Sequence, residues 1–309
     1  TMTSLGFLPG GTTSVARAIN NHGQITGDAY VSPTNYHGFL YSNGVMTSIG
    51  TWGSAKSRPR AINDRGELAG SSPPTNYPAI NNAFWWHSNQ FVQIQSTMAA
   101  DRSCDAYGIN EEGMICGTMF LYSANPRWWA YVWSDDNGNG SSEAEETRFL
   151  GSLAVDDSGG EYSQANDVNN LGQAVGWTGV TNTVFPRHAF LVTSTNGTWK
   201  DPAGTSHPFN SLMSDLGALE SPVQNSYANA INDRSWIVGT STTGSGTNQA
   251  FLWRDGVMTN LNDLIDAGSG WVLTNATGIN EYNEIAGSGL YYGQPRAFLL
   301  RSSSGLSVL

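Results

Sequence analysis

The residues best suited to chemistry in this chain are Asp135, Asn137, Asn139, Gly140, Ser141, Glu143 and Glu146, which match the pattern D-x-[DN]-x-[DN]-G-x5-E in full. Calcium is a hard ion that takes about six to eight oxygen ligands, and alternate side chains of one tight loop converge on it. Asp135 would open such a loop, Gly140 would permit its sharp turn, and Glu146 would close it as a bidentate ligand. Asn137 and Asn139 would supply amide oxygens, Ser141 its carbonyl, and Glu143 a contact through water. The flanks 130–133 and 147–150 read as strands, so the expected setting is a β-hairpin without the helices of an EF-hand. The alternative for the same residues is an acidic, solvated loop. Calcium is the one cofactor that these residues imply.

A second set is suited to binding. Trp52, Tyr77, Tyr122, Trp128, Trp177, Trp271, Tyr291 and Tyr292 fall between apolar runs, where aromatic faces can stack on sugar rings or cations. The same rings could instead plug gaps between structural units. Pro-Arg recurs just ahead of an apolar segment, at Arg127, Arg187 and Arg296, and these guanidinium groups could grip a carboxylate or pair with nearby acids. Signatures of catalysis are missing: there is no G-x-S-x-G, no H-E-x-x-H and no phosphate-cradling glycine loop. A lyase for acidic polysaccharides could be assembled from His207, Tyr162 or Tyr227 as base with Arg127 or Arg187 on the uronate, though nothing in their spacing brings them together.

Composition narrows the partners. Fourteen Lys and Arg against 25 Asp and Glu leave a net charge of −11, which argues against nucleic acid and anionic membranes. No apolar run approaches the ~18 residues that would cross a bilayer, so no membrane insertion is expected. The acidity fits an exported protein or a cation binder, and the start at Thr1 without a leader fits a mature or trimmed form. Cys104 and Cys116 either form a cross-hairpin disulfide or stay as two buried thiols, and their spacing excludes a CxxC motif.

The elements that must position these residues come from a repeat. Asn20, Asn63, Asn110, Asn169, Asn232 and Asn280 each follow an Ala- or Arg-led apolar stretch and each precede a glycine, at Gly27, Gly70, Gly117, Gly176, Gly239 and Gly287. A residue tolerant of positive φ is needed three positions after each Asn, and Gly23, Gly66, Gly113, Gly172 and Asn283 meet that need whereas Ser235 departs from it. The acids after the Asn (Asp64, Glu111, Asp233, Glu281) read as solvated turn residues, and the second glycine as a close backbone approach near a crowded axis. Each unit resolves into four short segments, the number a propeller blade needs. The expected fold is therefore all-β: residues 1–309 as a single six-bladed β-propeller of four-stranded antiparallel blades. The two termini together make up one further repeat length, and Met2-Thr-Ser-Leu5 matches Met46-Thr-Ser-Ile49, so the N-terminal strand is expected to close the ring. Leu306–Leu309 competes for the same place. Long connections (51–58, 71–81, 118–128, 177–187, 200–227 and 288–295) are expected on one face, with the short hairpins and the calcium loop on the other.

The third segment of each unit reads His37-Gly-Phe, Asn82-Ala-Phe, Trp129-Ala-Tyr, His188-Ala-Phe, Gln249-Ala-Phe and Arg296-Ala-Phe. In this the chain resembles the HAF-repeat family of bacterial extracellular proteins over nearly its whole length. His itself stands in two of the six units, and His37 and His188 read as structural. The resemblance implies a secreted or cell-surface bacterial protein. Three functions follow as expectations: a non-catalytic propeller that binds a glycan or an extracellular protein, a polysaccharide lyase, or a structural surface module.

Overall fold

The computed structural model describes residues 3–52, 56–74, 80–94, 102–121, 127–154, 162–180, 186–193, 199–200, 206–207, 213–220 and 224–301. Tyr77 and Tyr122 lie outside them. The fold is a six-bladed β-propeller with one antiparallel sheet per repeat. Blade 1 runs Ser14–Ile19, Ile25–Tyr30, Tyr36–Ser42 and Val45–Gly50, and blade 2 runs Arg58–Ile62, Leu68–Ser72, Asn82–His87 and Gln90–Gln93. Blade 3 comprises Arg102–Ile109, Ile115–Leu121, Arg127–Trp133 and Thr147–Gly151, and blade 4 Ser163–Val168, Ala174–Gly179, Arg187–Val192 and Met213–Asp215. Blade 5 comprises Ser226–Ile231, Ile237–Thr242, Asn248–Arg254 and Val257–Asn260. Blade 6 has three strands among the described residues, Trp271–Ile279, Ile285–Tyr291 and Gln294–Leu300. The chain divides into two compact units, residues 1–126 with 131–148, and residues 127–130 with 149–309.

The closing strand expected from Met2–Leu5 does not form among the described residues, since Thr3–Leu5 carries no strand pairing and Thr1, Met2 and 302–309 lie outside them. The segment still ends as a fourth strand ends. Gly6 has φ +76°, beside +82°, +78° and +73° for Gly50, Gly151 and Gly217. Ser14 donates to the Gly6 carbonyl (2.7 Å) as Ser57 does to Gly50 and Ser163 to Gly151 (2.6 Å each). Two of the long connections are also revised. Met213–Asp215 is the fourth strand of blade 4, which moves 193–212 to the connection between strands three and four. Residues 288–295 are nearly all strand, joined by the two-residue turn Tyr292-Gly293 with φ +47° and +77°.

The repeat residues do more than make turns. In every blade the first strand bulges at a matching residue, namely Arg17, Arg60, Tyr107, Asn166, Asn229 or Thr277, and in blade 6 it bulges again at Thr274. The bulge presses a first-strand carbonyl onto the second glycine of the repeat, where an added Cβ would lie 1.8 to 2.2 Å from it. The close approach is therefore to the blade's own first strand, which corrects the expected crowding at an axis. Phe39, Phe84, Phe190, Phe251 and Phe298 stand opposite those glycines on the third strand and take the space the missing side chains leave.

Asn20, Asn110, Asn169, Asn232 and Asn280 each accept two turn amides through Oδ1, and Asn63 accepts that of Glu67. Asn20, Asn63, Asn169 and Asn232 also reach the next blade. Asn20 Nδ2 donates to the Asn63 carbonyl (2.9 Å) and Asn63 to Asn110 (3.1 Å). In the second unit Asn169 donates to Asn232 (3.0 Å) and Asn232 to Asn280 (3.1 Å). The acids read as solvated turn residues prove to be clasps of the same ladder. Asp64 accepts from the Asn21 amide and side chain (2.8 Å each), Glu111 from the Asp64 amide (2.9 Å), and Asp233 from Asn170 (2.8 Å each). Ser235 takes positive φ despite its Cβ (+60°), and its hydroxyl bonds to Gln173 (2.7 Å). Cys104 and Cys116 are buried thiols with no disulfide between them: Cys104 pairs with Met119 and Cys116 with Gly108, too far apart in register to bond. Burial pushes the Cys104 thiol up to about 12.

Candidate ligand-binding face

The second-to-third and fourth-to-first connections meet at one end of the sheets, and there the structure gathers part of the expected aromatic set. In the second unit Trp128 opens toward Tyr162 (5.4 Å between ring centroids) and Trp177 (6.0 Å), and Trp177 in turn reaches Tyr227 (6.4 Å). The Arg187 guanidinium lies 4.0 Å over the Trp177 ring and 5.4 Å from that of Trp128. Its amide donates to Asn225 Oδ1 (2.9 Å). Burial lowers the Arg187 pKa, and the hydrogen bond with Tyr227 opposes that shift. Trp177 is only 7% exposed, so most of this cluster is packing.

The three Pro-Arg sites are not equivalent. Arg187 stands three residues before its strand's aromatic, Arg296 two before and Arg127 four before. Alternation along a strand then sends Arg187 to the opposite face from the other two. Arg296 is exposed, with Nη1 on the Pro295 carbonyl (2.7 Å). Arg127 begins the third strand of blade 3, half-buried. His188, read as structural, is buried with Nδ1 on Asp215 (2.8 Å). Burial alone would raise the Asp215 carboxyl, but hydrogen bonds from His188 and the Gly217 amide outweigh it and hold it below the usual range.

Blade 6 carries an open group of rings. Trp271 and Tyr291 are 5.0 Å apart, Tyr291 and Tyr292 4.6 Å, and Trp271 also meets Phe298 at 6.4 Å. Tyr291 is 40% and Tyr292 70% exposed. The Tyr292 amide donates to the Gly270 carbonyl (2.8 Å), and its ring packs where a Gly270 side chain would be, 2.6 Å from an added Cβ. Trp52 is half-buried after blade 1, its carbonyl accepting from Ser72 (3.1 Å).

One further group escaped the sequence reading. Tyr36 opens the third strand of blade 1, three residues before Phe39, the same position as Trp128 and Arg187 in their blades. Its ring lies under Arg58 (4.6 Å) and Lys56 (5.7 Å) and beside Tyr30 (5.7 Å). Arg17 and Arg58 share the buried carboxylate of Asp28. The signal was present in that shared position, but it shows only once the aromatics are aligned.

The hairpin Ser134–Glu146 connects strands three and four of blade 3, at the other end of the sheet. Asp135 accepts from the amides of Asn139 (3.1 Å) and Gly140 (2.9 Å), and Glu146 from those of Asp136 (3.1 Å) and Glu143 (3.0 Å). The amide groups of Asn137 and Asn139 donate to Glu143 (3.1 and 2.9 Å), and Asn137 also to Glu146 (3.2 Å). Ser141 enters through its amide, on Asn139 Oδ1 (2.7 Å). The six residues are thus brought together, with Gly138 and Gly140 at φ +68° and +73°. Among the described residues no group of three or more His, Cys, Asp or Glu side chains is set to hold a metal ion. Burial, and then the neighbouring carboxylates of Glu143 and Asp135, raise the Glu146 carboxyl despite its hydrogen bond from the Glu143 amide. Hydrogen bonds from Asn139 and Asn137 lower that of Glu143.

Residues 93–302, about two thirds of the chain, match the family described as "Protein of unknown function (DUF3466)". The chain belongs to this family. A comparison with curated proteins returns no match. Among solved structures, this DUF3466 chain is similar to the β-propeller domain of the Trilobed protease from Pyrococcus furiosus at 10% identity and a TM-score of 0.40, covering 93% of this chain and 95% of that one. It is similar to a mutant of AofleA from Arthrobotrys oligospora at 10% identity and a TM-score of 0.38, covering 97% and 94%. A GH43_12 retrieved from capybara gut metagenome follows at 8% and 0.36, covering 97% of this chain and 62% of that one. At these values the likenesses carry no argument about ligand or activity. No described helix is long and apolar enough to cross a membrane.

Proposed function

We propose that this protein is a non-catalytic extracellular binding propeller that recognises a glycan or an extracellular protein through the end of its sheets bearing Trp271, Tyr291 and Tyr292. The observation that carries this reading is Tyr292: a bulky residue held at φ +47° in a two-residue turn with 70% of its surface exposed. Such a conformation costs about 1–3 kcal/mol and suits Gly or Asn far better, so the ring's presentation needs a reason beyond folding. Rigid, amphipathic tyrosines give a large contact area at low entropy cost, which suits stacking on sugar or on a partner surface. Screening wild type and Tyr291→Ala/Tyr292→Ala on glycan and extracellular-protein arrays tests it. Ligands lost in the variant are the expected result. An empty array for wild type, or a variant that keeps every hit of the wild type, would overturn the reading.

The reading includes calcium in the hairpin of blade 3. In its support, Asp135, Glu143 and Glu146 sit in one knot whose buried carboxyl a cation would relieve. Binding would require the Asn137 and Asn139 amides to turn their oxygens inward. A ligand bound only by the native state must raise its stability, so excess calcium is expected to raise Tm and a chelator to lower it. An unchanged Tm would remove calcium from the account.

A lyase is the second reading, favoured by Arg187 and Tyr227 sharing a hydrogen bond beside Tyr162 and Trp128. His207 lies where side chains are not described. Ultraviolet absorbance of unsaturated products from acidic polysaccharides would select the lyase over the binding module. The HAF-repeat resemblance, and with it secretion from a bacterium, rests on the small-then-aromatic motif alone, because His37 and His188 take unrelated partners, Ser48 and Asp215.

A further inference from the structure

Blade 1 holds a cleft of about 580 Å³ between two turns, lined by Gly10, Gly11, Thr12, Thr13, Tyr30 and Ser32, with Pro33 at its rim. That volume lies within the ~300–1,000 Å³ range of small-molecule sites. The walls are fixed by backbone hydrogen bonds. Tyr30 N–H donates to the Thr13 carbonyl (2.9 Å), Gly11 N–H to Leu8 (3.0 Å), and Val31 N–H to Asn35 (3.0 Å). Two glycines make the shape possible. Gly10 has φ +83°, and a Cβ on Gly11 would sit 1.9 Å from the Tyr30 carbonyl oxygen.

The chemistry of the lining is selective. Among the described residues the lining contains no charged side chain, so neither an anion nor a cation finds a counter-charge in it. Three hydroxyls, of Thr12, Thr13 and Ser32, can each donate and accept, and Tyr30 adds an aromatic ring with a polar tip. Thr12 and Thr13 are exposed and open to a ligand. The Tyr30 ring packs against Tyr36, itself under Arg58, which limits its freedom.

The geometry points to this cleft as a binding site for a neutral oligosaccharide. Hydroxyls on both sides of a sugar ring match the Thr and Ser groups, and its apolar face matches Tyr30. The proposal does not depend on the reading of Tyr292.

Calorimetry on the whole protein with a panel of neutral oligosaccharides (gluco-, manno-, xylo- and galacto-configured hexamers) tests it. Thr12→Val/Thr13→Val/Ser32→Ala and Tyr292→Ala serve as the two variants. One or more hexamers should bind wild type and Tyr292→Ala equally, without dependence on salt, and should bind the triple variant about tenfold or more weakly. An unchanged melting curve for the triple variant would confirm that its fold is intact, and a lowered one would transfer the test to Ser32→Ala alone. Failure of every hexamer to bind, or equal binding by wild type and the hydroxyl variant, would overturn the proposal. Loss in Tyr292→Ala would assign the sugar to the platform, and salt-dependent binding of acidic sugars in preference would replace a neutral ligand with an anionic one. Both results would also overturn it.

Discussion

Two groups of aromatic residues, similar in composition, do opposite things in this molecule. Around Trp177 the rings of Trp128 and Tyr227 pack edge to face, Tyr162 packs on Trp128, and the Arg187 guanidinium covers the Trp177 ring. In blade 6 Trp271, Tyr291 and Tyr292 stand in a row that opens to solvent. The difference lies in the backbone beneath. Trp177 sits inside the second strand of blade 4, paired with Ala189 and Gln164 on either side. Tyr292 sits at the tip of a two-residue turn, where no strand can cover it. The covered position makes Trp177 mortar, and the turn makes Tyr292 surface, with Trp271 and Tyr291 at the strand ends beside it.

The sharpest way to break that comparison is to truncate one ring from each group. Trp177→Ala removes a buried indole and is expected to cost about 3–5 kcal/mol, read as a lower urea midpoint. Tyr292→Ala should leave the midpoint nearly unchanged and abolish binding of the ligand held by the blade 6 rings. If the two variants lose similar stability, the blade 6 rings are mortar as well.

Much of the fold was legible because its determinants are local. An Asn at a turn, a residue three positions on with positive φ, and a small residue before an aromatic are all mechanics within one blade. The inter-blade partners were not legible. Asp64 and Glu111 answer to amides in the preceding repeat, and nothing in Asn-Asp or Asn-Glu distinguishes a clasp from a solvated turn. The candidate site divided along the same line. Side chains that meet through neighbouring strands, such as Trp177 and Arg187, depend on register, and a shift of one residue separates Arg187 from Arg296. The calcium pattern was visible because it lies in one contiguous hairpin. Tyr30 and Tyr36 were missed because each looks ordinary within its own segment.

The buried side also carries a titration that the open side lacks. The Asp167 carboxylate accepts from the Val168 amide (2.9 Å) and the Ile231 amide of the next blade (3.0 Å). Burial nevertheless pushes its carboxyl up to about 6. Because the native state then holds its proton at higher pH than the unfolded chain does, stability from this group is fullest below about pH 4 and is lost as pH rises through about 6. Wild type compared with Asp167→Asn should therefore show a stability difference that moves against wild type as pH rises across that window. A difference that stays level with pH would show that the carboxyl is solvated and that the inner face of blade 4 is as open as blade 6.

The smallest effect expected is the most discriminating. Tyr292→Asn replaces a strained residue with one that tolerates the left-handed region, and it should raise stability by about 1 kcal/mol while weakening ligand binding. Such a trade is expected where strain is kept for function. The opposite sign has an equally definite meaning. The Tyr292 ring packs on Gly270, so a loss of stability in the Asn variant would show that this packing outweighs the strain and that the ring is held for the fold. Gly293 is left in place, so the turn keeps the residue that most requires positive φ, and the change in sign can be assigned to the tyrosine alone.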